Sequence, residues 1–256
     1  MDRTAKREMN VQVLLTPFPL PQASLEGKSV VVIDVLRSST TICASLLAGA
    51  RAVIPTEGPG EAGEMWTKLG AENAVLAGER SGVKIENFQY GNSPSDFTPE
   101  TVGGKTVILC TTNGTGIFER AVKAEAVFSG GIVNVAAVAA AVADRGNDLM
   151  IVCGGREGGF SIEDTIGAGL LIDRLREIHN CQLDLNDAAS LSFLLYDKNR
   201  YSLAETVAQG EHGRFLASIG LQADLEICAG VDTMPVLPVL KEGRLVRPEP
   251  PEAATR

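Results

Sequence analysis

A carboxylate, a guanidinium and four hydroxyl groups occur within the eight residues D-V-L-R-S-S-T-T at 34–41. Arg37 can bind an anion through paired hydrogen bonds. The four hydroxyl residues are Ser38, Ser39, Thr40 and Thr41. Such hydroxyls can donate to a ligand or cap a helix, and capping needs only one of the four. Asp34 follows the apolar run S-V-V-V-I, where a buried carboxylate is costly without a partner. That partner is either Arg37 or a hard cation such as Mg²⁺.

The stretch T-T-N-G-T-G at 111–116 is also polar but carries no charge. It combines hydroxyl and amide groups with a glycine that lets the backbone approach a ligand closely: Thr111, Thr112, Asn113, Gly114 and Thr115. The pattern fits a phosphate or carboxylate cradle and, equally, an ordinary tight turn between a strand and a helix. It is not a dinucleotide-binding fingerprint, because the third glycine of that motif is missing.

A third stretch, G-G-R-E-G-G-F-S-I-E-D at 154–164, places four glycines beside charged residues. Arg156 is a candidate for anion binding. Glu163 and Asp164 fall in the first turn of a predicted helix, where the helix dipole favours a carboxylate. The dipole accounts for one acid, whereas two adjacent acids beside a glycine loop favour a Mg²⁺ site.

Two further candidates are less well defined by their surroundings. Glu79 and Arg80 follow the apolar run A-V-L-A-G at 74–78, and the predicted fold brings them near the other turns. The alternative is a solvated charged loop. His212 is interpreted as a surface or packing histidine, with acid–base catalysis as the alternative.

These candidates follow apolar runs that alternate with segments of helical length. The predicted strands are 11–15, 29–34, 51–54, 74–78, 106–110, 126–130 and 148–155. Continuous apolar runs are typical of strands covered on both faces. The sequence therefore predicts a layered α/β/α fold with a largely parallel or mixed sheet. In such sheets ligands bind beyond the carboxyl ends of the strands, where helix N-termini present free N–H groups.

The predicted organisation is one catalytic α/β domain over residues 1–247, with two similar subdomains and a boundary near 100–130 as a variant. Strand–turn–helix units that begin near residues 29, 106 and 148 suggest an internal duplication. We predict a long loop with a short helix after Asn92 over 79–104, and helices over 186–219. The stretch 234–246 is predicted as a hairpin or edge strand, given its prolines, and 248–256 as a disordered tail.

Composition excludes several classes of protein. The 256 residues carry a net charge of −9, which argues against non-specific binding to nucleic acid or a membrane surface. No apolar run approaches the ~18–20 residues that span a bilayer. Five widely spaced cysteines without a secretion signal predict reduced thiols in the cytoplasm.

Several known catalytic motifs are absent. The segment E-G-K-S at 26–29 ends like a phosphate-binding P-loop, but position 22 is Gln and a predicted strand follows. The D-x-D pattern of aspartyl-phosphate enzymes fails at Leu36. The chain contains neither a G-x-S-x-G nor an H-E-x-x-H motif.

Taken together, these stretches resemble the 2-phosphosulfolactate phosphatase family. The matching segments are V-I-D-V-L-R-S-S-T-T (32–41), A-G-E-R (77–80), Q-Y-G-N-S-P (89–94), T-T-N-G-T (111–115) and G-G-R-E-G-G-F-S-I-E-D (154–164). Their order and spacing are specific, and weaker similarity continues to about residue 245. The resemblance implies Mg²⁺-dependent hydrolysis of the phosphate monoester 2-phospho-3-sulfolactate, a reaction associated with coenzyme M biosynthesis.

The residue roles that we predict combine this resemblance with the patterns above. The catalytic candidates are Asp34, Arg37 and Glu79, and the metal ligands are drawn from Asp34, Glu79, Glu163 and Asp164. The candidates for binding the small anionic phosphoester are Ser38, Ser39, Thr40, Arg80, Thr111, Thr112, Asn113, Gly114, Thr115 and Arg156. Direct attack by water is preferred over attack by Asp34, because the D-x-D motif is missing. The rival hypotheses are a lyase or isomerase of a phosphorylated hydroxy acid and a non-catalytic binding protein, and a homo-oligomer is compatible with either.

Overall fold

The computed structural model describes residues 8–20 and 25–248, and within them one sheet of eleven strands carries ten α-helices. The strands are β1 Met9–Leu14, β2 Ser29–Ile33, β3 Ala52–Thr56, β4 Ala74–Arg80, β5 Val83–Lys84, β6 Thr106–Cys110, β7 Ala126–Gly130, β8 Leu149–Cys153, β9 Leu183–Leu185, β10 Val239–Lys241 and β11 Arg244–Val246. The helices are α1 Ser38–Leu47, α2 Pro59–Leu69, α3 Pro99–Val102, α4 Thr115–Arg120, α5 Val135–Arg145, α6 Ile162–Glu177, α7 Asp187–Asn199, α8 Leu203–Gln209, α9 Glu211–Ser218 and α10 Gln222–Cys228. Short 3₁₀ helices span Pro94–Asp96 and Ile132–Asn134.

The sheet consists of two parallel halves. Its strand order is β5-β4-β6-β3-β11-β10-β7-β2-β8-β1-β9. Strands β4, β6 and β3 pair in parallel on one side, and β7, β2, β8, β1 and β9 pair in parallel on the other. The predicted α/β class and the largely parallel sheet are confirmed.

The C-terminal hairpin of β10 and β11 joins the two halves. Strand β11 pairs with β3 and β10 pairs with β7, each antiparallel and each through one residue pair in register. The predicted hairpin is confirmed, but the alternative of an edge strand is wrong. Pro235 and Pro238 both precede β10, so neither removes an N–H donor from the ladder.

Both faces of the sheet are buried, which explains the continuous apolar runs. On β2, Val31 and Ile33 face one core with α5 and α6, whereas Val30 and Val32 face a second core. That second core also contains residues of β6 and of helices α1 and α4. Helix α1 is therefore packed between the two halves, which is why its hydroxyl-rich first turn is buried.

Other predicted segments differ in detail from the structure. Glu79 and Arg80 do not follow a strand but form the end of β4, which pairs with β5 beyond them. Thus the predicted loop 79–104 begins with a strand and contains α3 besides the 3₁₀ helix after Asn92. Helices α7 to α9 confirm the prediction for 186–219, while β9 and α10 were not predicted.

Two remaining predictions concern the termini and membranes. The predicted disordered tail lies, apart from Pro248, outside the described residues. Over the parts of the chain that the structure describes, the helices are too short or too polar to cross a bilayer. The proposed duplication stays a prediction, although strand–turn–helix units do begin at β2, β6 and β8.

Candidate active site

A cavity of about 110 Å³ lies where the loops after β2, β4, β6 and β8 meet. Of the residues predicted for the site, seven line it: Asp34, Arg37, Ser38, Glu79, Thr112, Asn113 and Arg156. Asn92, His212 and Phe215 line it as well. The structure thus collects the four predicted turns around one polar cavity, as expected for ligand sites at the carboxyl ends of parallel strands.

Asp34 is buried at the centre of this arrangement. One carboxylate oxygen accepts a hydrogen bond from Ser38 Oγ at 2.8 Å, and the Asp34 backbone N–H donates to Ser39 Oγ at 3.0 Å. Burial raises the pKa of Asp34, while the Ser38 hydrogen bond and the nearby His212 offset part of that rise. Asp34 therefore retains a proton more readily than a carboxyl group in water.

Glycines in the two other turns allow the backbone to approach Asp34. A Cβ atom at Gly114 would lie 2.6 Å from Asp34 Oδ2, and one at Gly154 would lie 2.9 Å from Asp34 Cβ. Only glycine fits at these distances without displacement of the carboxylate. Hence the glycines of 111–116 and 154–164 serve to close both turns on Asp34.

Asp164 connects the turn at 34–41 with the turn at 154–164 through hydrogen bonds. Its two carboxylate oxygens accept hydrogen bonds from the backbone N–H groups of Val35 and Gly155, both at 2.8 Å. Burial, followed by the negative charges of Asp34 and Glu163, raises the pKa of Asp164 well above its usual range. Because both oxygens are occupied by backbone donors, the structure gives Asp164 a role in holding the loops.

Glu79 connects the turn at 111–116 to the end of β4 through hydrogen bonds. Its carboxylate accepts hydrogen bonds from the backbone N–H of Thr112 at 2.8 Å and from that of Gly82 at 2.7 Å. Unlike Asp164, Glu79 lines the cavity. Asp34 and Glu79 are thus two carboxylates that face the same space from the two halves of the sheet.

Arg37 is neutralised by an acid that the sequence analysis did not identify. Its guanidinium donates to Asp224 of α10 at 2.7 Å, with both side chains 3% exposed, and Ser93 Oγ donates to the same carboxylate at 2.5 Å. Loss of either partner would leave a buried charge unpaired, which typically costs ~3–5 kcal/mol. Arg37 therefore shapes the cavity wall while its charge is already balanced.

Arg156 and Arg80 occupy different positions. Arg156 lines the cavity, donates to Glu211 at 3.1 Å and lies 4.9 Å from the centre of the Phe215 ring. Glu211 is 82% exposed, so water weakens this ion pair and leaves Arg156 available to an anionic ligand. Arg80 instead donates to the backbone oxygens of Glu79 and Glu57, and the structure does not bring it into the cavity lining.

The predicted hydroxyl residues divide into two groups. Ser38 and Thr112 line the cavity, together with Asn113, whose Oδ1 accepts from the backbone N–H of Glu157 at 3.2 Å. The others are buried in hydrogen bonds within the turns: Ser39, Thr40, Thr111 and Thr115. The second group shapes the turns, as in the capping alternative that the sequence left open.

Glu163 contacts His212. The imidazole Nδ1 and Glu163 Oε1 are 3.2 Å apart, and the two side chains are 12% and 3% exposed. His212, predicted as a surface or packing histidine, is half-buried in the cavity wall, and its acid–base alternative stays a prediction. Asp224 and His212 lie in helices α10 and α9, whose sequences contain no motif that would indicate their proximity to the turns.

The donor set of the cavity is compatible with Mg²⁺. Among the described residues, no group of three His, Cys, Asp or Glu side chains converges closely enough to hold a metal ion. However, Mg²⁺ usually takes only one or two carboxylates and fills its remaining positions with water and substrate phosphate. Asp34 and Glu79 supply two carboxylates, and Asn92 Oδ1 is buried without a hydrogen-bond partner in the described part of the chain. These oxygen atoms fit the preferences of Mg²⁺.

Fold and site together define a layered α/β protein with an acidic and basic cavity at the carboxyl ends of its parallel strands. Residues 14–243 match the sequence model of the 2-phosphosulpholactate phosphatase family. The chain belongs to this family, which confirms the resemblance found in its motifs.

Curated relatives are similar to this chain over nearly their whole length. A probable 2-phosphosulfolactate phosphatase of Caldanaerobacter subterraneus is 37% identical over 235 residues, which cover 92% of this chain and 97% of the relative. The protein of the same name from Carboxydothermus hydrogenoformans is 39% identical over 240 residues, 93% of this chain and 97% of its own. That of Clostridium beijerinckii is 32% identical over 237 residues, with 93% and 99% covered.

Proposed function

We propose that this protein is a phosphoric monoester hydrolase that converts 2-phospho-3-sulfolactate to sulfolactate and inorganic phosphate. The family and the names of the relatives support this reaction. The observation that carries the proposal is the convergence of Asp34, Glu79 and Arg156 on one small cavity. Phosphoryl transfer requires carboxylates that can hold a metal cation and a positively charged side chain that can hold an anionic group of the substrate.

The cavity residues have separable roles in this proposal. Arg156 binds an anionic group of the substrate, since its own partner Glu211 is exposed and easily displaced. Ser38 and Thr112 add neutral hydroxyl groups to the cavity lining, and each hydroxyl also contacts a carboxylate, that of Asp34 and that of Glu79 respectively. Asn113 connects the turn at 111–116 to the turn at 154–164 through the hydrogen bond that it accepts from the Glu157 N–H.

We further propose that Asp34 and Glu79 hold Mg²⁺, with Asn92 as an additional oxygen donor. When bound, the ion would neutralise the phosphoryl oxygens and lower their repulsion toward an incoming nucleophile. Without it, the carboxylates would oppose binding of a substrate that carries phosphate, carboxylate and sulfonate groups. Glu163 and Asp164 are not included, because neither side chain lines this cavity, whereas Asp34 and Glu79 do.

The nucleophile in this proposal is water. The D-x-D arrangement of aspartyl-phosphate enzymes is absent, since Leu36 occupies the second acidic position. Attack by water transfers the phosphoryl group in one step, so no phosphorylated Asp34 is expected. A lyase or isomerase would use the same anion contacts but would release no inorganic phosphate.

Phosphate release from 2-phosphosulfolactate tests the proposal. We expect purified protein to release phosphate with Mg²⁺, to stop when EDTA is added, and to lose at least ~10³-fold in kcat as Asp34→Asn. Product without phosphate release would support the lyase or isomerase. Binding without any turnover would support a non-catalytic anion-binding protein.

The cellular setting follows as a lesser proposal. All five cysteines are free thiols, and four of them are buried: Cys43, Cys110, Cys153 and Cys228. Free thiols are typical of a reducing compartment, so we propose a cytoplasmic enzyme that acts in coenzyme M biosynthesis. A homo-oligomer stays a prediction.

A further inference from the structure

Half-buried His212 and buried Glu163 form a pair that the roles above do not use. Glu163 lies in the first turn of α6 and His212 in the first turn of α9. Gly210, directly before α9, lets the two helix starts approach closely, since a Cβ there would lie 2.7 Å from Ile162 Cγ2 and 3.3 Å from Glu163 Oε2. The absence of a side chain at Gly210 therefore allows the His212 imidazole to contact the Glu163 carboxylate.

The contact fixes the orientation of the imidazole ring. A carboxylate only accepts hydrogen bonds, so Nδ1 carries the proton that it donates to Glu163 Oε1 across 3.2 Å. Nε2, on the other side of the ring, remains for the cavity that His212 lines together with Asp34. A histidine oriented by a buried carboxylate is the arrangement that acid–base catalysis uses repeatedly.

We propose that His212 is the general acid of the phosphatase reaction and that Glu163 is its positioning residue. The inference rests on the proposed hydrolysis and adds the source of the proton. A water oxygen forms a bond to phosphorus while the bond between phosphorus and the ester oxygen breaks. That oxygen takes the bonding electron pair and receives the Nε2 proton of the His212 imidazolium, which gives the free hydroxyl of sulfolactate and leaves a neutral imidazole protonated at Nδ1. Water gives up one proton to solvent, and the imidazole is reprotonated from solvent.

Two other roles for His212 make different predictions. A packing histidine would affect folding and all substrates alike. A general base that activates water would likewise affect all phosphoesters alike, because every hydrolysis needs the same nucleophile. Only a general acid discriminates by leaving group, since an alkoxide needs a proton to leave and a carboxylate does not.

The test compares wild type and His212→Gln across phosphoesters that differ in leaving group. The series runs from 2-phospholactate and phosphoglycolate through phenyl and 4-nitrophenyl phosphate to acetyl phosphate, with phosphate release followed by phosphorus NMR. We expect kcat/KM for the alkyl esters to fall by ~10²-fold or more, and the loss to shrink as the leaving group becomes less basic. Loss by one common factor across the series would overturn the proposal.

Two variants and one control complete the design. Glu163→Gln retains an acceptor without charge, so it should show the same leaving-group dependence with a smaller loss. His179→Gln makes the same substitution beyond the far end of α6, ~24 Å along the helix, and should match wild type. Thermal melting of each variant separates misfolding from lost catalysis. If wild type releases no phosphate from 2-phosphosulfolactate, the proposed function fails, whereas uniform loss in His212→Gln refutes only the role of the histidine.

Discussion

At the scale of single residues, two buried carboxylates determine the electrostatics of the site. Burial raises the pKa of both Asp34 and Asp164. A carboxyl group whose pKa is higher in the folded chain than in the unfolded chain opposes folding whenever it is ionised. Two backbone donors that hold the loops offset part of this penalty at Asp164, whereas Asp34 faces the cavity. The buried Asp34 carboxylate therefore lowers the stability of the fold, and it is retained because it faces the candidate active site.

The variant Asp34→Asn should be more stable than wild type in EDTA at pH 8. Asparagine keeps one oxygen for the Ser38 hydroxyl and removes the desolvated charge. The folded-state pKa is raised, so the penalty of the charge is complete above that pKa and disappears as the pH falls toward the unfolded-state value. The difference between the two proteins in urea unfolding free energy should therefore shrink from pH 8 to pH 5.

A matched control is Glu64→Gln, which neutralises an exposed carboxylate on α2. It should change neither the unfolding free energy nor its pH dependence appreciably, because surface charges are well solvated. If Asp34→Asn were less stable than wild type at pH 8, the hydrogen bonds to the carboxylate would outweigh its burial.

Sequence reasoning located the residues of the turns better than their partners. Asp34, Glu79 and Arg156 stand out because a charge follows an apolar strand or a glycine loop, and all three line the cavity. Asp224 lies 187 positions from Arg37 and His212 lies 49 from Glu163. Helices α9 and α10 carry no local motif, so only the folded chain reveals these pairs.

At the scale of elements, the close packing of α6 on α7 depends on a glycine. Gly169 lies in the middle of α6, and a Cβ atom there would overlap the backbone oxygen of Ser192 in α7 and approach Tyr196 Cβ. Both contacts involve groups that cannot rotate away. The helix that presents Glu163 to His212 is thus held at a distance that only glycine permits.

We expect Gly169→Ala to destabilise the protein although alanine is the better helix former. Overpacking costs ~1–3 kcal/mol, which exceeds the ~1 kcal/mol gained in helix propensity. The matched control is Gly63→Ala in α2, where no atom lies within 4 Å of the added Cβ, and it should stabilise by ~0.5–1 kcal/mol. Urea unfolding of both variants checks the opposite signs, and a gain in stability for Gly169→Ala would contradict the close contact.

The apolar runs predicted the strands well, but not their neighbours. A strand covered on both faces is apolar throughout, so β2, β6 and β8 are recognisable without an alignment. The last two residues of β4, Glu79 and Arg80, are charged, and the sequence analysis therefore did not assign them to the strand; of the two, Glu79 lines the cavity. Likewise, the prolines before β10 suggested an edge, although the hairpin that follows them lies between two other strands.

At the scale of the whole molecule, the site spans the seam between the two parallel halves. Asp34 follows β2 in one half, whereas Glu79 ends β4 in the other. The hydroxyl oxygens of Ser38 and Thr111 lie within hydrogen-bond distance of each other across this seam, at 3.2 Å. The halves are also linked by single residue pairs at the hairpin, by the core around α1 and by hydrogen bonds such as that from the Glu157 N–H to Asn113. A ligand held by both carboxylates would add a further connection.

Mg²⁺ should consequently raise the melting temperature of the whole chain. A ligand present at 100 times its Kd adds ~2.7 kcal/mol, which corresponds to ~5–10 °C for a protein of this size. Scanning calorimetry with Mg²⁺ and with EDTA measures this shift independently of turnover. Asp34→Asn and Glu79→Gln should abolish it, whereas Glu163→Gln should retain it, because Glu163 contacts His212. A shift lost only in Glu163→Gln would place the ion at α6, and no shift in wild type would contradict a site across the seam.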